Sequence, residues 1–186
     1  MEKINSLTGM TDLIETKADE NVLANKVFQT EKILKEIFTN YAISEIRTPA
    51  LENTNLFKRS VGDTSDIVNK ELYTFSDKND KSITLRPEGT ASVMRSIIEK
   101  KLDGETHKLW YLGPMWRYER PQKGRYRQFN QAGIEILGYS EGAPEFEMIS
   151  LICELNRKLQ IRKPLIKINH LGDSNSKKLF CKALVD

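Results

Sequence analysis

Between Arg117 and Arg127 the chain packs five basic side chains around one glycine and one glutamate, and the run "QFNQAGIEILG" that follows carries a single acid, Glu135, among apolar residues. Arginine forks onto phosphate oxygens through paired N–H groups, so a local cluster of this kind is the footprint of a phosphate-bearing ligand. Phe129 offers a ring face on which a base can stack. Gln131 and Glu135 add an amide and a carboxylate suited to a small cationic group. A second carboxylate, Glu88 in "RPEGT", stands at a helix start directly after a strand, where it either complements the helix dipole or accepts from a ligand amine. ATP plus a small amine-bearing molecule fits this inventory, although a solvated, charged hairpin would show the same basic cluster.

Strand alternation sorts these groups. "YRQFNQAGIEILGY" reads as the antiparallel partner of "HKLWYLGPMWRYER" across the loop "PQKG". On the second strand Arg125, Arg127, Phe129, Gln131, Gly133 and Glu135 share one face, and Ala132, Ile134 and Ile136 turn to the core. If the odd faces of both strands coincide, Met115, Arg117 and Glu119 join the polar row. A slip of one residue would reverse every side chain. Gly133, in mid-strand on the polar face, marks the close approach of a ligand or another backbone.

Other elements must hold this hairpin in place. Apolar residues at Leu23, Val27, Leu34, Ile37, Phe38 and Tyr41 predict one face of a helix over Asp19–Tyr41. "SEIRTPALE" reads as extended, "LFKRS" as a short helical turn, and "ELYTFSDKNDKSITLRPEG" as a hairpin turning through "DKND". A helix follows Pro87 to about Lys101 on the stripe Ala91, Met94, Ile98 and Leu102, and another spans Pro144–Leu159 on Phe146, Ile149, Ile152, Leu155 and Leu159. "LIKINHLG" reads as a strand. "SNSKKLFCKALVD" opens a further helix, whose Phe180, Ala183 and Leu184 have no visible partner.

At 186 residues, 39% hydrophobic and 30% charged, the chain is long enough for one globular domain with a core of its own. A net charge of +3 is too small to argue by itself for nucleic acid. Cys153 and Cys181 form no CxxC pair, and His107 and His170 stand apart from them, so neither a metal site nor a disulfide framework is expected. The N-terminus has no apolar signal region and no long apolar run occurs, which makes the cytoplasm the expected location and membrane insertion unexpected.

Four stretches, "GMTD", "LFKRSVGDTSDIVNKELYTF", "TLRPEGT" and "LWYLGPMWRYERPQKGRYRQFNQAGIEILG", together resemble the catalytic domain of bacterial-type histidyl-tRNA synthetases, which are class II aminoacyl-tRNA synthetases. The resemblance runs from about Ser6 to the end. It implies an α+β fold with a mixed, largely antiparallel sheet flanked by helices, and a homodimer contact through the first helix and the "LFKRSVG" segment, the family's motif 1. The basic hairpin then corresponds to motif 2. Arg117 would meet the α-phosphate and the histidine carboxylate and act as the catalytic arginine. Glu119 would meet the adenine amino group, Phe129 would stack the adenine, and Arg125 would reach the outer phosphates. Glu88, Gly89 and Thr90 would lie near the histidine α-amino group, and Gln131 and Glu135 in its side-chain pocket, Glu135 accepting from the imidazole while the small Gly133 leaves room for that ring. The implied reaction activates histidine with ATP and Mg2+ and transfers it to the 3′ end of tRNA(His).

The chain departs from the family at both ends. Thr8 stands where the family often carries arginine. The second histidine-binding segment, the glycine-rich motif 3 and the anticodon-binding domain are missing, so residues 1–186 amount to a partial catalytic domain, and the isolated chain is not expected to aminoacylate. A related fold serves as the histidine-sensing regulatory subunit of ATP phosphoribosyltransferase. Such a sensor need not keep "ERPQKGRYRQF" beside Glu88, Gln131 and Glu135, as this chain does. A non-catalytic RNA-binding module would rest on the basic hairpin alone.

Overall fold

The computed structural model describes residues 4–15, 22–61, 70–120, 122–140, 142–162, 164–169 and 173–185. Expectations that touch Asp19, Gly62, Pro121 and His170 lie outside them. Helix α1 (Val22–Asn40) leads into the short strands β1 (Ser44–Glu45) and β2 (Leu51–Asn53) and then helix α2 (Thr54–Val61). The expected hairpin is β3 (Tyr73–Ser76) and β4 (Ser82–Leu85), its turn held by the Asp77 carboxylate, which accepts from the amides of Asn79 and Lys81. Helix α3 (Thr90–Glu99), the long strands β5 (His107–Trp116) and β6 (Gln128–Leu137), and helices α4 (Ala143–Lys158) and α5 (Ser174–Val185) complete the order.

The strands form two three-stranded sheets, β1-β5-β6 with β1 parallel to β5, and an antiparallel β2-β4-β3. They are stitched at Arg86, whose amide donates to Ala50 O at 3.0 Å and whose carbonyl accepts the Trp116 amide at 3.1 Å. Its guanidinium, almost fully buried, donates to Pro114 O through Nε and to Thr48 O and Oγ1 through Nη1. Burial lowers its pKa, an effect opposed by the nearby Glu52 charge.

Each face of the β5-β6 ladder packs against helices over part of its length. On the even face Trp110 meets Phe38, with ring centroids 5.0 Å apart, and Leu34, Ile37, Ile43 and Leu151 complete a core beneath α1 and α4. Complete burial of a side chain such as Ile37 contributes about 1.5–3 kcal/mol. On the odd face Tyr111 and Met115 pack with Val93 and Ile97 of α3, and Leu109, Phe129 and Leu137 border them. The odd face is therefore polar over only part of its length.

Two helical stripes differ from expectation. Of the stripe expected for α3, Ala91 and Leu102 do pack inward, but Met94 is 36% and Ile98 61% exposed, and Val93 and Ile97 take the core positions in their place. In α4 Leu155 of the expected stripe packs against the core, but the fully buried residue is Leu151, and Phe146 is 73% exposed. Both helices are apolar on more than one side, so spacing admits several faces and packing against the sheet selects one. The expected strand at Leu165 is also corrected: residues 165–169 carry no strand and stay exposed. No described strand pairs with them, and an unpaired extended segment gains no ladder hydrogen bonds. Phe180 and Leu184 of α5 are likewise exposed.

Candidate active site

The register joins the two odd faces as the alternation requires. Met115 faces Phe129, Gly113 faces Gln131, Tyr111 faces Gly133 and Leu109 faces Glu135. Past Trp116 and Gln128 the ladder ends, so Arg117, Glu119, Arg125 and Arg127 lie at the base and arms of the turn rather than on regular strand. Their positions come from individual contacts. The Arg117 amide donates to Arg127 O at 3.0 Å, its Nε donates to Pro87 O at 2.9 Å, and its guanidinium lies 5.2 Å over the Phe129 ring. The Glu119 carboxylate accepts from exposed Arg125 at 3.1 Å.

The other half of the site is built by "RPEGT". Glu88 accepts from the amides of Thr90 and Ala91 at 2.5 and 2.9 Å, capping the first turn of α3. A carboxylate has further lone pairs, so this cap leaves Glu88 able to accept again. The Thr90 hydroxyl donates to Glu135 Oε1 at 2.7 Å, joining the start of α3 to β6 across 45 residues of sequence. Burial raises the Glu135 pKa and the Glu88 charge adds to the rise, while the Thr90 hydroxyl opposes it. Gln131 Oε1 is buried and has no hydrogen-bond partner among the described residues.

Tyr111 is the residue that reading the strands missed. Its ring is wedged between two glycines: a Cβ on Gly89 would stand 2.2 Å from Cε2, and one on Gly133 would stand 2.2 Å from Cζ. The room at Gly133 is thus taken by the protein's own tyrosine rather than left for a ligand ring. Burial raises the Tyr111 pKa and the charges of Glu135 and Glu88 raise it further, with a Thr90 hydrogen bond opposing. Two glycines at 89 and 133 were the available signal, but only the register shows that one side chain fills both.

One face therefore gathers Arg117, Phe129, Gln131, Glu135, Glu88 and Thr90, with Glu119 and Arg125 at its outer end. A sheet of this order, with helices on both faces and a basic antiparallel hairpin facing a capped helix start, has the catalytic-core fold of a class II aminoacyl-tRNA synthetase. The apo S. aureus histidyl-tRNA synthetase superposes on 98% of the chain and 42% of its own, with a TM-score of 0.76 and 37% identity. At 21% identity, an ATP phosphoribosyltransferase regulatory subunit/histidyl-tRNA synthetase from Bacillus halodurans shares the fold with a TM-score of 0.69 over 88% of this chain and 40% of its own.

The family model for histidyl-tRNA synthetase matches residues 20–173, and the chain belongs to that family. It is 51% identical over 159 residues to the histidine–tRNA ligase of Anoxybacillus flavithermus, which covers 84% of this chain and 38% of the relative. The ligase of Prochlorococcus marinus is 45% identical over 186 residues, 100% of this chain and 42% of its own. The chain thus spans about two fifths of the length of these relatives.

Proposed function

We propose that this chain is the nucleotide- and histidine-binding part of a histidine–tRNA ligase. The contact that carries the reading is Thr90 to Glu135, because it draws the helix start and the strand end, with their carboxylates, together on the face that carries the arginine hairpin. Glu135 accepts the imidazole N–H, and a side chain that cannot donate there leaves a half-buried carboxylate unpaired, which is the basis of selection. Glu88, Gly89 and Thr90 receive the α-amino group, and the unpartnered Gln131 Oε1 is open to the same substrate. Arg117 holds the α-phosphate and the histidine carboxylate, Glu119 and Phe129 hold the adenine, and Arg125 turns to the outer phosphates.

Mg2+ arrives with the nucleotide as part of the substrate. A histidine carboxylate oxygen attacks the α-phosphorus, the bond to the bridging oxygen breaks, and pyrophosphate leaves. The terminal ribose hydroxyl of tRNA(His) then takes the histidyl group and AMP departs. Positioning and charge stabilisation dominate the first step, which is why arginine is the catalytic side chain. The reaction serves translation in the cytoplasm, and the working form is a homodimer built through α1 and the segment beginning with α2.

The test is histidine-dependent exchange of pyrophosphate into ATP, with this chain joined to the remaining segment of the Anoxybacillus flavithermus relative. Arg117→Ala should lower exchange by about a thousandfold. Near-normal exchange in that variant would overturn the role of Arg117. Histidine binding with no exchange in the unsubstituted protein would favour a histidine sensor.

A further inference from the structure

Among the described residues ahead of the matched family region, a short turn meets the hairpin. Leu7–Met10 closes a turn, Met10 N donating to Leu7 O at 3.0 Å, with Gly9 at a φ of +79°. The Gly9 carbonyl accepts two adjacent amides, Arg127 at 2.8 Å and Gln128 at 3.1 Å. Those amides stand where the β6 ladder gives way to the basic turn. Arg127 passes the constraint on: its carbonyl accepts the Arg117 amide at 3.0 Å, its Nε donates to the Glu119 carbonyl at 3.2 Å, and its guanidinium lies 4.0 Å over the Tyr118 ring. The approach is tight, since a Cβ on Gly9 would stand 2.9 Å from Arg127 Cγ. Just downstream, Leu13 lines a cavity of about 480 Å³ with Leu23 and Val27 of α1 and Leu112 and Ala132 of the sheet, so the segment lies against the fold beyond this contact as well.

We infer that residues 7–10 are a positioning strap of the nucleotide site, in which the Gly9 carbonyl fixes Arg127 and thereby sets the backbone of Arg117 and Glu119. The inference rests on the nucleotide reading of the hairpin. A strap of this kind acts on ATP and leaves the Thr90–Glu135 end alone, because its hydrogen bonds stop at Gln128. Only Gly9 serves: its positive φ and the missing Cβ let the carbonyl approach both amides.

The experiment compares the 186-residue chain with Gly9→Ala and with a chain lacking residues 1–10, reading amide hydrogen exchange together with calorimetric binding of Mg-ATP and of histidine. Exchange at Arg127 and Gln128 should quicken by about tenfold or more in both variants, and ATP should bind about tenfold more weakly, while histidine, which shares only Arg117 with the nucleotide and keeps its contacts at Glu88, Thr90 and Glu135, should lose no more than about threefold. A role in general stability would weaken both ligands together, and that result overturns the inference, as does unchanged ATP binding. Should the unsubstituted chain bind no ATP, the nucleotide reading falls. Exchange at Arg117 and Glu119 then decides the strap separately: protection retained without residues 1–10 overturns it, and protection lost upholds it.

Discussion

Glu135 shows how one residue can be legible in sequence while its chemistry is not. A lone acid in an apolar run invites a functional reading, but burial, the Glu88 charge and the Thr90 hydroxyl are what set its behaviour. Its raised pKa means that the folded chain keeps this proton to higher pH than the unfolded chain does. Over that interval the native state binds more protons, so the contribution to stability is greatest below it and declines as pH rises through it. Glu135→Gln should therefore flatten the melting temperature between mildly acidic and neutral pH and raise it at neutral pH, while weakening histidine binding by about tenfold. Thermal melts across pH with calorimetry check both, and a variant that melts lower at neutral pH contradicts the account. Tyr111 was illegible because an aromatic residue in a long strand reads as ordinary core, and it is also that.

At the scale of elements, "RPEGT" is a keel with a task for each residue. Arg86 ties the two sheets, Pro87 O receives Arg117, Glu88 caps α3, Gly89 admits Tyr111, and Thr90 reaches Glu135. The strand-to-helix change there could be read from Pro87 and the flanking periodicities. The sheet-joining task of Arg86 could not, because its acceptors at Thr48 and Pro114 come from segments distant in sequence. Arg86→Met should cost about 2–4 kcal/mol in urea unfolding, since it leaves the partly buried carbonyls of Thr48 and Pro114 unpaired. ATP binding should weaken as well, through the slackened Pro87–Arg117 contact. A loss under about 0.5 kcal/mol would show that the sheets hold without it.

At the scale of the molecule, the proposed dimer gives a direct expectation. The chain should sediment as a dimer at micromolar concentration, and Leu56→Glu on α2, a partly exposed position beside Lys58 and Arg59, should weaken association by about tenfold or more. Sedimentation velocity decides it, and a dimer indifferent to Leu56→Glu places the interface elsewhere. The sequence by itself determined the order and type of nearly every element, the pairing of β5 with β6 and the part of the odd-face row from Phe129 to Glu135, because these depend on local propensity and on a period of two. It could not determine that Val93, Ile97 and Leu151 turn inward where Met94, Ile98 and Phe146 do not, that residues 165–169 lie outside any described strand, or that Tyr111 occupies the space of two glycines. Those outcomes depend on which surfaces meet, and a helix apolar on several sides or a strand without a neighbour is resolved only by long-range packing.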